Sequence, residues 1–118
     1  MKAVTMIIRQ SSVSRVFPSG LRLSFGDDAS ILDVINAVDQ MIREKCGEFP
    51  VKGFKCLMEM VYHPIEGRFY NQVAVQAYAK SGMFLSVREN PRMPIPDEAT
   101  IILVPEGGCA TDWEEPVR

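Results

Sequence analysis

The chain has 118 residues, 47% of them apolar and 24% charged, with a formal net charge of −2. That leaves room for one domain with one core, in the composition of a folded protein rather than a disordered one. Acids and bases are scattered along the chain, which argues against the basic stripe of a nucleic-acid partner, and no apolar run approaches the ~20 residues of a membrane span.

The three cysteines are Cys46, Cys56 and Cys109, and His63 is the single histidine. An odd cysteine count without a Cys-x-x-Cys pair describes neither a disulfide framework nor a zinc or iron–sulfur site. No metal and no cofactor are therefore expected. Met1-Lys2-Ala3-Val4 opens a short apolar stretch that Arg9 ends, without the features of a signal peptide. The chain reads as cytoplasmic, with reduced thiols.

Ala3 to Arg9 is apolar and β-branched and predicts a buried strand. A second strand is expected within Val13–Phe25, interrupted at Pro18-Ser19-Gly20, with strict alternation from Leu21 to Phe25. The two would form an antiparallel hairpin. Gly26-Asp27-Asp28 is turn chemistry, and Asp27-Asp28 suits the start of a helix better than a pair of catalytic carboxylates. Ser30 and Asp33 form an acidic capping box. Ile31, Ile35 (with Val34), Val38 and Ile42 (with Met41) then fall on one helical face, leaving Asp39, Gln40, Arg43 and Glu44 on the other. Gly47 is the expected stop.

Phe54–Tyr62 is apolar enough for a strand, although a short helix lined by Leu57, Met58, Met60 and Val61 competes. In the strand reading, His63-Pro64-Ile65-Glu66-Gly67 turns the chain and Arg68–Tyr78 returns. Ser81-Gly82 is a turn, Met83–Val87 a short strand, and Asn90 to Pro96 a proline-rich loop. Ile101-Ile102-Leu103-Val104 fits a strand buried on both faces at the centre of a mixed sheet, ended by Pro105. The order is that of an α+β domain. Cys46 and Cys56 read as small core residues, the methionines as core filler and His63 as an inert turn residue.

A hairpin, a helix opened by Asp27-Asp28-Ala29-Ser30-Ile31-Leu32-Asp33, and the late run Pro94-Ile95-Pro96-Asp97-Glu98-Ala99-Thr100-Ile101-Ile102-Leu103-Val104-Pro105-Glu106-Gly107-Gly108 resemble a known family. It is that of the β-grasp sulfur carriers of molybdopterin and thiamine synthesis, and of ubiquitin-like proteins more broadly. The resemblance covers residues 1–48 and 70–108 and leaves 50–69 as an inserted hairpin. It implies a β-grasp fold, a mixed sheet packed on one main helix, over residues 1–108.

It also implies that the protein is not itself an enzyme but a carrier or modifier. Gly108 would hold the activated carbonyl, with Gly107 its slender approach. The implied partners are an adenylating activating enzyme and a target protein or sulfur acceptor. This chain departs from the pattern by continuing for ten residues, Cys109 to Arg118. The Gly108 carbonyl is thus an amide to Cys109, and a processing protease must cut there before activation. The extension carries Asp112, Glu114 and Glu115 against Arg118, which leaves residues 1–108 formally neutral. It reads either as a solvated tail or as a removable cap anchored by Trp113. Nothing in the sequence supplies the strain and acid that an acyl shift onto the Cys109 thiol needs. The alternative function is a non-conjugated β-grasp binding module or complex subunit in which the diglycine is a hinge.

Overall fold

The computed structural model describes residues 1–105. The chain runs β1 (Lys2–Ile8), α1 (Ser11–Val16), β2 (Leu21–Phe25), α2 (Ile31–Cys46), α3 (Leu57–Val61), β3 (Tyr62–His63), β4 (Arg68–Phe69), β5 (Ala74–Tyr78) and β6 (Ala99–Val104). The fold is α+β, with a mixed sheet in the order β2-β1-β6-β5 and a separate small ladder of β3 and β4. The two central strands run parallel, with Met6 opposite Ile101, and each has an antiparallel neighbour outside it.

One face of the sheet and α2 enclose the core. Val4, Met6, Ile8, Ile101 and Leu103 from the central strands cluster with Ile31, Val34, Ile35, Val38 and Ile42 of the helix. That face is dry because α2 meets every requirement of an amphipathic helix. The Asp33 carboxylate accepts from the Ser30 backbone N–H at 2.9 Å, completing the capping box. Gly47 ends the helix in the left-handed region at φ 84°.

Five expectations need correction. Residues 13–16, expected in the second strand, belong instead to the helix Ser11–Val16. The Gln10 side chain accepts from Val13 N–H at 3.0 Å, and the Ser14 hydroxyl donates to Ile8 O at 2.9 Å. Local polar groups thus close a turn where apolar content suggested extension. Gly20 then returns the chain at φ 83°; a Cβ there would lie 2.6 Å from Met6 O. Leu57–Val61 is a helix, not a strand, so the competing reading holds.

The third correction concerns Arg68–Tyr78, which splits into β4 and β5. The Arg88 guanidinium fixes the bend by donating to Val73 O and, at 2.8 Å, to Tyr70 O. Residues 83–87 are likewise not a regular strand. They make one bridge, Tyr78 to Phe84, formed by Ala79 N–H donating to Met83 O and Leu85 N–H donating to Ala77 O. Finally, β6 is central but not buried on both faces. Ile101 and Leu103 are buried, whereas Ile102 and Val104 are half-buried, because the helices lie on one side of the sheet.

Candidate functional site

The Gly107-Gly108 pair and the Gly108–Cys109 junction lie outside the described residues. The structure does define the place from which they depart. β6 ends at Val104 and Pro105 is buried, and Gly108 follows Pro105 by three positions in the sequence. An extended chain advances at most about 3.6 Å per residue, which holds Gly108 within about 11 Å of Pro105.

The exit is framed by the end of β1 and the start of β5. Arg9 N–H donates to Leu103 O at 2.8 Å, and Ala74 stands opposite Val104. Beyond β1 the rim continues into α1. Arg9 and Arg15 are exposed there, and neither makes an ion pair among the described residues. Residues 9–20 and 70–74 contain no aspartate or glutamate. The Arg88 guanidinium, which donates to Val73 O just before β5, adds a third cationic group to this end of the molecule.

The opposite end of the sheet is mixed in charge. Asp27 meets the amino terminus at 3.5 Å, Asp97 accepts from Ala3 N–H at 2.7 Å, and Glu98 pairs with Arg22 at 2.6 Å. The hydrogen bond from Arg22 holds the Glu98 carboxyl below the ordinary glutamate range, against the smaller opposing effect of desolvation and with a lesser contribution from the Arg22 charge. The same bond and the glutamate charge push the Arg22 guanidinium up. Glu98 itself has φ 64°, an unusual conformation for a residue with a side chain.

The sheet face turned away from α2 is open. Thr5, Ile7, Thr100, Ile102 and Tyr78 are half-buried on it. Phe84 meets Tyr78 edge-on at 5.9 Å and is 54% exposed.

The remaining candidates do not converge with the exit. His63 sits in its turn with Nδ1 accepting from Glu66 N–H at 3.1 Å, and its ring tilts against Tyr70. That makes it a turn-closing group, half-buried rather than solvated. Cys46 and Cys56 are free and half-buried. Asp27 and Asp28 are exposed in the turn before α2. One open cleft of about 400 Å³ lies along the Glu48–Lys55 loop, and another of about 360 Å³ between Tyr62, Gly67 and the Glu89–Met93 loop. Neither lining includes a histidine, cysteine or serine. Among the described residues no three metal-ligating side chains gather, and no helix is long and apolar enough to cross a membrane.

Two polar residues matter more than their sequence context suggests. Asp39 was assigned to the wet face of α2 but is 4% exposed; its carboxylate accepts from Leu57 N–H and from Arg43 Nε, each at 2.8 Å. Met41, assigned to the apolar face, is 40% exposed. Lys2 is buried, and its ammonium donates to Asp27 O at 2.8 Å, to Ala29 O at 3.0 Å and to Ile95 O. In Lys2 the signal was an alternation that, continued backwards from Val4, points the side chain inward. For Asp39 it was the i, i+4 position after Ile35.

No family model, curated protein or solved structure matches this chain. Function must be argued from the geometry alone.

Proposed function

We propose that the protein is a β-grasp carrier or ubiquitin-like modifier, made as a precursor that is trimmed after Gly108 and then activated by an adenylating enzyme. The observation that carries this reading is the position of the diglycine. It lies three residues past the end of a central strand that runs parallel to β1, in a sheet of order β2-β1-β6-β5 crossed by one main helix. That strand order is compatible with a β-grasp arrangement. A central strand is anchored on both edges, so its downstream end is a fixed point from which a thin thread can be presented.

The chemistry asks little of the domain. Hydrolysis of the Gly108–Cys109 amide leaves a carboxylate on Gly108 and an amine on Cys109. The carboxylate then attacks the α-phosphorus of ATP, releasing pyrophosphate, and a sulfur nucleophile displaces AMP from the acyl-adenylate. Glycines let the backbone lie against the nucleotide without a Cβ in the way. The same activated carbonyl serves sulfur transfer or attachment to a target protein, and the reading assigns both steps to the cytoplasm.

Mass spectrometry of the full chain after incubation in extract of its native cell tests the first step. The expected product is a species ending at Gly108; an unchanged full-length mass defeats the precursor reading. For the second step, the chain ending at Gly108 should support ATP–pyrophosphate exchange by an adenylating enzyme, and Gly108→Ala should suppress it. The second reading, a binding module with a docking tail, is favoured by the ten residues after the diglycine. It wins if the trimmed chain is never adenylated while a partner binds only the uncut form.

A further inference from the structure

The chain beyond the exit and the rim around the exit carry opposite charge. The extension 109–118 holds three carboxylate side chains and one guanidinium, and Glu106 adds a fourth acid before it. The rim presents Arg9 and Arg15 in segments that contain no acid, with Arg88 behind them. We propose that this cationic rim is a docking surface for the chain's own acidic extension, residues 109–118.

Three facts support that occupant. The first is connectivity. The extension starts four residues after buried Pro105, and Pro105 follows the strand whose Leu103 carbonyl accepts from Arg9 N–H. The extension is therefore tethered beside the rim, and a short tether gives an effective concentration on the order of millimolar. The second is the absence of competition. Arg9 and Arg15 make no ion pair among the described residues, whereas Arg22, Arg43 and Arg68 each do. The third is the contrast with the far end of the sheet, where Asp27 pairs with the amino terminus and Glu98 with Arg22. Individual exposed ion pairs are weak, and it is the tether that makes several of them count together.

The contact does not depend on Gly108 ever being activated. Where it is, resting on the reading above, one cut would create the reactive carboxylate and bare the cationic rim at once. A partner with an acidic surface would then bind the trimmed form in preference to the precursor.

The test uses the full chain and needs neither ATP nor an activating enzyme, so it is independent of the carrier reading. Backbone amide signals are compared between the native chain and the Asp112→Asn, Glu114→Gln, Glu115→Gln triple variant, whose changes lie beyond residues 1–105. The expected result is a shift of the signals of residues 9–16 and 71–74 in low salt. That shift should collapse near 1 M salt, where the screening length is about 3 Å. Arg9→Gln with Arg15→Gln should abolish the sensitivity to the triple change. The proposal is overturned if the rim signals do not respond, or respond equally at both salt concentrations. It is also overturned if the responding signals lie on the open face around Tyr78 and Phe84, which would mean apolar docking through Trp113.

Discussion

The main sheet with α2, and the segment from Phe49 to Val73, are held by different means. In the first, ladders and a periodic apolar face bind four strands to one helix. In the second, elements of five residues or fewer add Phe49, Leu57, Met60, Val61, Tyr62 and Phe69 to the same core, but their backbone is positioned by single polar groups. Asp39 of α2 holds the start of α3, Glu59 accepts from Lys55 N–H, and Arg88 holds the bend between β4 and β5. A ladder distributes stability over many equivalent bonds, whereas a clamp concentrates it in one side chain. The first kind of structure should fail as a unit, and the second piece by piece.

Ile101→Ala breaks the unit. Ile101 is fully buried between β1 and β5, and truncation should cost about 2–5 kcal/mol. Denaturant unfolding should remain a single transition with a lowered midpoint. A midpoint near that of the native chain would mean that the sheet is not the stabilising core. Asp39→Ala should come next, at about 2–3 kcal/mol, because it strips a charged acceptor from a buried N–H and leaves Arg43 unpaired. Its signature is local: amide exchange should accelerate in residues 57–69 while β1 and β6 keep their protection. Uniform acceleration would erase the distinction between clamp and ladder.

Asp33→Ala sharpens the comparison from the ladder side. It removes the acceptor for Ser30 N–H and an acid from the first turn of α2, for about 0.5–1 kcal/mol, readable as a small drop in the thermal midpoint. The smallest effect concerns pH. The Glu98 carboxyl is held below its ordinary range by Arg22, so its contribution is present above the unfolded-state value and fades as pH falls through the folded one. Glu98 is only half-buried and its partner Arg22 is exposed, so this acid-side slope should be slight. Arg22→Ala should flatten it; an unchanged slope would mean that the pair carries no linkage.

The same division explains what could be read from the residues. The helix from Ile31 to Cys46 was legible because its cap, its apolar spacing and its stop all agree, and the strands around Met6 and Ile101 because β-branched residues mark them. Between residues 49 and 73 only the His63–Gly67 turn and the strands flanking it were legible, since a clamp depends on one distant partner and leaves no period. Leu57–Val61 has the composition of a strand, and a carboxylate eighteen residues earlier makes it the start of a helix. Residues 11–16 misled for a related reason: Gln10 closes the turn from outside the apolar run. Of the candidate site, the sequence revealed the diglycine and its tail. It did not reveal the cationic rim, which exists only once β1 and β6 lie side by side.

Lys2 turns its own burial into a reporter. Its ammonium is enclosed by three carbonyl oxygens, while Lys45, Lys52, Lys55 and Lys80 stand in water. An acylating reagent should therefore label those four and pass over the second residue of the chain. The appearance of acyl groups on Lys2 would time the moment at which the start of β1 comes away from the turns that cradle it.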